Sequence, residues 1–145
     1  FELGDKQAAI ADFSKAIQID PYLVEGYNNR ALVRFHLGDY QGAMEDYKQA
    51  LQINSSLTDI YYNRALVHYT LGEKQEAVED YNQILVMNPN DAEAYNNRGT
   101  LCAFMGDNQG AIENYTQAIA INPEKANAYY NRALVYYYLG ISQIA

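Results

Sequence analysis

Few side chains in this sequence have the chemistry to catalyse a reaction, and their spacing keeps those few apart. The two histidines, His36 and His68, fall at different places in the repeat described below. The single cysteine, Cys102, cannot form an internal disulfide, and between Leu101 and Ala103 it reads as a small buried hydrophobe. General acid–base and nucleophilic catalysis need groups that converge, and a metal centre needs clustered Cys and His ligands. Neither pattern is present. The glycines are each read as the end of a helix, which leaves no loop to cradle a phosphate. The reading is of a protein that is not an enzyme and needs no cofactor or metal.

Arginine and asparagine carry the chemical pattern instead. Arg30, Arg64, Arg98 and Arg132 recur at steps of 34 residues, as do Asn29, Asn63, Asn97 and Asn131. An arginine drawn into an interior needs a carboxylate, and Asp12, Asp46 and Asp80 recur with the same step, giving way to Asn114 at the last place. Structural pairing of the two registers is therefore expected. Whether Arg64 takes Asp46 or Asp80 stays open, and Arg132 is the odd member if each arginine pairs with the preceding repeat. A row of asparagines offers something different: each carboxamide has an acceptor and two donors, matching the C=O and N–H of an extended peptide main chain.

Helices must hold these registers in place. Gly4, Gly38, Gly72, Gly106 and Gly140 follow Leu3, Leu37, Leu71, Met105 and Leu139, and each differs from the next by 34 residues. Residues 25–37 have apolar side chains at helical spacing and no proline. Gly38-Asp39 then supplies a residue tolerant of positive φ and a capping carboxylate, the chemistry of a tight helical hairpin. The second helix, residues 40–53, places Ala43, Tyr47, Ala50 and Leu51 on one stripe. Its counterparts stop at Asp20-Pro21, Asn88-Pro89 and Asn122-Pro123. After Asn54 the residue is Ser55, so that stop rests on polar turn chemistry alone.

The period, the small residues Ala31, Ala43 and Ala50, the aromatics Tyr27 and Tyr47, and the helix-ending prolines resemble the tetratricopeptide repeat family across the whole chain. Two features depart from the family pattern: Tyr27, Tyr61, Tyr95 and Tyr129 stand where it often has tryptophan, and the four arginines where it usually has leucine. The resemblance implies an all-α solenoid, a right-handed superhelix of antiparallel hairpins with eight helices. Residues 1–145 then form a single array: a partial repeat 1–23, complete repeats 24–57, 58–91 and 92–125, and a partial repeat 126–145 that stops just inside a second helix.

The resemblance also implies that first helices line a concave wall where a partner binds. That wall includes Glu25, Asn28, Asn29, Leu32 and His36, then Asp59, Tyr62, Asn63, Leu66 and Thr70. Glu93, Asn96, Asn97, Thr100 and Phe104 follow, and Asn127, Tyr130, Asn131, Leu134 and Tyr138 complete it. The asparagine register resembles the ladder in the repeat domain of the O-linked N-acetylglucosamine transferases, which holds a peptide main chain. The alternative for these asparagines is that they cap or solvate the face or bond the neighbouring repeat. The carboxylate clamp of the family does not fit. It would want lysine at Asn28 and Glu93, asparagine at Leu32 and arginine at Asn97; only Asn63 agrees.

Composition narrows the partner. Eighteen acidic and ten basic side chains give a formal charge of −8 and a pI near 4.6, which opposes nucleic acid and anionic lipid. A mean hydropathy of −0.38 and the lack of any long apolar run exclude a helical membrane span and point to the cytoplasm. Glu25, Asp59 and Glu93 at the starts of first helices favour a neutral or basic peptide over an acidic tail. Two other functions remain open: end-to-end self-association through the apolar residues of interrupted hairpins, and recruitment of substrate to an enzyme of which this is one part.

Overall fold

A computed structural model describes residues 3–144. Among them are eight α-helices and no strand: α1 Leu3–Ile19, α2 Val24–His36, α3 Tyr40–Ile53, α4 Thr58–Leu71, α5 Lys74–Met87, α6 Ala92–Phe104, α7 Asn108–Ile121 and α8 Ala126–Ile144. The helices fall into two compact units, Phe1–Gly72 and Glu73–Ala145.

In the first unit, α2 and α3 form a hairpin whose turn is set by Gly38. Its φ of 80° lies in the left-handed region, where a side chain would be strained. The N–H of Asp39 bonds back to the Arg34 carbonyl at 2.9 Å, and the Asp39 carboxylate then accepts the Gly42 N–H at 2.9 Å, closing one helix and opening the next. Ala31, Ala43, Tyr47, Ala50, Ile60 and Val67 form the buried core, with Val24, Phe35, Met44 and Leu57 packed around it. Three of the six core residues are alanines, which lets the helices approach closely.

The second unit repeats the device between α6 and α7. Gly106 has a φ of 83°, the Asp107 N–H bonds the Cys102 carbonyl at 2.9 Å, and Asp107 caps the Gly110 N–H at 2.9 Å. Cys102, Ala111, Tyr115 and Val135 form its core cluster. Cys102 is buried, as its neighbours suggested. Gly99 serves close approach rather than a turn: a Cβ there would lie 2.9 Å from the Tyr115 ring.

The four second helices end in one way with or without proline. Asp20, Asn54, Asn88 and Asn122 each accept, through the side-chain oxygen, the N–H two residues on, at 3.0–3.3 Å. This Asx turn explains why α3 stops at Ile53 although Ser55 replaces the proline.

The expectation that each glycine ends a helix is corrected. Gly4, Gly26, Gly42, Gly99, Gly110 and Gly140 lie within helices. The predicted turn at Leu139-Gly140 does not form, and α8 runs through it to Ile144. At that place Ile141 stands where Asp39 and Asp107 cap α3 and α7 and where Glu73 precedes α5. Without a side-chain acceptor for the new helix's first N–H groups, continuing the old helix keeps them bonded.

Candidate functional site

The arginine register is held by stacking, and in Arg30 and Arg98 also by acceptors on both sides in sequence. Each guanidinium lies over the tyrosine one turn earlier in its own helix: Arg30 over Tyr27, Arg64 over Tyr61, Arg98 over Tyr95 and Arg132 over Tyr129, at 5.3–5.8 Å. Arg30 donates through Nε and Nη2 to the two oxygens of Asp46, at 2.9 and 2.6 Å, and through Nη1 to the Ser14 hydroxyl at 2.9 Å. Arg34 adds a third bond to Asp46 at 2.9 Å. Asp46 is 2% exposed. Its hydrogen bonds hold the Arg30 proton more tightly, pushing that pKa up against the opposing effect of burial.

Of the two directions left open, Arg30 takes the carboxylate that follows it. In the second unit the following residue is Asn114, so Arg98 becomes the odd member. It donates to the Asn114 and Asn82 side-chain oxygens, each at 2.8 Å. Arg132 donates to the Thr116 hydroxyl at 3.0 Å. The tyrosine register also braces the loops: the Tyr27 hydroxyl donates to the Pro21 carbonyl at 3.2 Å and Tyr61 to Ser55 at 3.1 Å. Sequence reasoning missed this stack, although the fixed Tyr-x-x-Arg spacing of one helical turn was its signal.

The asparagines are partly engaged. Asn63 on α4 donates to the Asn28 side-chain oxygen on α2 at 3.2 Å, and Asn131 on α8 donates to Asn96 on α6 at 3.3 Å. Asn97 bonds the Tyr81 hydroxyl, an interaction that stabilises the phenolate; burial outweighs it and pushes the Tyr81 pKa up to about 12. Asn96 is buried, at 4% exposure, whereas Asn29, Leu32, Leu66 and Tyr130 are exposed. Tyr62, Asn63, Asn97, Thr100 and Asn131 are half-buried. Each bonded asparagine in the Asn63 and Asn131 positions spends one donor on its neighbour, leaving one N–H and its own oxygen.

In the second unit these residues border a pocket of about 410 Å3. Thr100, Ala103 and Phe104 of α6, Asn108 and Tyr115 of α7, and Asn131, Leu134, Val135 and Tyr138 of α8 line it. Its walls are apolar, with Asn131 and Asn108 as polar points. Phe104 and Tyr138 are 56% and 62% exposed at its rim. The Tyr115 hydroxyl, on the Thr100 hydroxyl at 3.1 Å, fixes the floor. Of the three acidic first-turn residues, Glu93 is paired with Lys125, and Glu25 and Asp59 are exposed. Among the described residues no group of acidic, His and Cys side chains could hold a metal ion, and no helix is long and apolar enough to cross a membrane.

A family model described as TPR repeat matches residues 31–72 and 104–140, and three described as tetratricopeptide repeat match 58–91, 80–113 and 1–22. The chain belongs to the tetratricopeptide repeat family. Solved structures of similar fold include MamA, which is 28% identical, with a TM-score of 0.85, over 94% of this chain and 80% of MamA. A tetratricopeptide repeat protein from Parabacteroides merdae is 26% identical, with a TM-score of 0.86, over 91% of this chain and 53% of its own. YrrB, described as a TPR protein with an unusual peptide-binding site, is 23% identical, with a TM-score of 0.78, over 95% of this chain and 71% of YrrB. At that identity the likeness is one of fold. No curated protein matches the chain.

Proposed function

We propose that this tetratricopeptide chain is a protein-interaction module that takes an extended segment of a partner along its first-helix faces. The observation that carries the reading is the pocket of about 410 Å3 between α6 and α8, where apolar walls surround the Asn131 carboxamide. A side chain of the partner fills that pocket against Leu134, Val135 and Tyr138, and the remaining amide groups of Asn131 and Asn97 meet its main chain; in the first unit Asn63 and Asn29 offer the same groups to a main chain. Because the main chain is common to all peptides, such contacts tolerate many sequences, and the pocket adds selectivity for an apolar side chain. Exposed Glu25 and Asp59 favour a neutral or basic partner.

A fluorescence-anisotropy screen of labelled peptides, comparing the parent with Tyr138→Ala and with Asn63→Ala/Asn97→Ala, tests this. Peptides with a central apolar residue should bind and lose about tenfold in affinity in each variant, with helicity unchanged. Equal binding by parent and variants would remove both the pocket and the ladder from the reading.

A second reading, association of two copies, is favoured by one observation. Helix α8 exposes Tyr130, Tyr136, Tyr137 and Tyr138, each more than half exposed, and exposed apolar surface is where proteins associate. Sedimentation across a concentration series decides it, since an unchanging monomer excludes self-assembly.

A further inference from the structure

Around Arg30 the charges close. Two guanidiniums, Arg30 and Arg34, meet two carboxylates, Asp46 and Asp39, the second 3.7 Å from the Arg34 Nε. One pair of repeats later the same positions hold Arg98, Asn114, Cys102 and Asp107. Asp107 is the helix cap, accepting the Gly110 N–H. Asn114 turns its amide to the Gly110 carbonyl at 2.8 Å and its oxygen to the Arg98 Nε at 2.8 Å. The neutral oxygen of Asn82 takes Nη1, and the Tyr95 ring lies 5.3 Å from the guanidinium carbon.

Arg98 is thus positioned on two sides and from one face by groups that carry no charge. It forms no ion pair among the described residues, and its Nη2, the atom that meets Asp46 in Arg30, has no acceptor there. Among the described residues no fully buried side-chain nitrogen or oxygen lacks a partner, so this Nη2 is not fully buried. Arg98 lines a pocket of about 400 Å3 together with Tyr95, Glu113, Asn114 and Gln117, none of which borders the peptide pocket above. The Gln109 amide donates to Glu113 at 2.8 Å, one turn back on its own helix. The Glu113 charge in the lining opposes any anion and a dianion such as phosphate most, so a single carboxylate is the anion least opposed, and the Gln117 amide can donate to it.

We infer that Arg98 and its pocket bind one carboxylate of a partner protein, an Asp or Glu side chain or a C-terminus, at Nη2, the atom that in Arg30 meets the protein's own aspartate. With the Asn114 oxygen on Nε, the ligand adds the charged acceptor at Nη2, and the guanidinium needs no rearrangement because Tyr95, Asn82 and Asn114 already hold it.

The test follows the side-chain Nε–Hε resonances of the 15N-labelled chain. The probes are an acetylated, amidated pentapeptide with one glutamate, its glutamine twin, and the glutamine peptide with a free C-terminus. The Arg98 resonance should shift saturably with the glutamate or the free-terminus peptide and stay still with the twin, and which of the two acts distinguishes side chain from terminus. Arg98→Gln should weaken binding by at least about tenfold. Asn114→Asp, which restores the internal carboxylate, should raise the melting temperature and abolish the shift. No saturable Arg98 shift with either carboxylate, or a shift that survives Asn114→Asp, overturns the inference and leaves Arg98 a structural residue.

Discussion

Asp46→Ala is the most informative single substitution for stability. The carboxylate is 2% exposed and accepts three charge-assisted hydrogen bonds, two from Arg30 and one from Arg34. Removing it leaves two guanidiniums, whose side chains are 14% and 22% exposed, without their anion. Breaking a buried pair in this way costs about 3–5 kcal/mol. Arg30 keeps Ser14 and Arg34 keeps the Gly42 carbonyl, which places the loss near the lower end, ~3 kcal/mol. For a chain of this length that corresponds to a fall in melting temperature of roughly 6–12 °C, measured by circular dichroism or calorimetry. Asp46→Asn, which copies the neutral acceptor of Asn114, should fall between parent and alanine variant. Salt should rescue neither, since burial limits screening, and peptide affinity at the α6–α8 pocket should not change. An alanine variant that melts within about 1 °C of the parent would refute the claim that the arginine register is structural.

Two further outcomes follow from backbone and phenol geometry. Gly140→Ala should stabilise by about 0.4–1 kcal/mol because Gly140 is helical and exposed, whereas Gly38→Ala, at a φ of 80°, should destabilise; equal losses at both sites in thermal melts would mean that a turn forms at Gly140 after all. Burial, assisted by the Asp46 charge, pushes the Tyr47 phenol up to about 12 from an ordinary 10. The folded state thus holds a proton the unfolded chain releases first. Stability should be intact below pH 10 and fall between pH 10 and 12 by ~1.4 kcal/mol per unit for this group. Tyr47→Phe should reduce the slope of stability against pH, and an unchanged slope would show that Tyr47 ionises as freely folded as unfolded.

The 34-residue period, the helix limits and the hairpin turns were legible in the sequence because each rests on residues a few places apart. Gly38 with Asp39 sets a turn by φ and capping, and Asn54 ends a helix by bonding two residues on, so α2 and α3 match the expected segments to within one residue. The same locality explains the misreading at Gly140, where the glycine was weighed and the missing cap at Ile141 was not. What only the tertiary structure decided is partner choice. Asp12 and Asp46 offer Arg30 the same chemistry, and the packing of α2 against both α1 and α3 gives it Ser14 of the first and Asp46 of the second. The asparagine register was plain as a row of carboxamides, but the close approach of α2 to α4 and of α6 to α8 spends one donor each of Asn63 and Asn131 on a neighbouring helix. Period and caps are properties of neighbouring residues, whereas hydrogen-bond partners sixteen or thirty-five residues apart depend on how the helices pack.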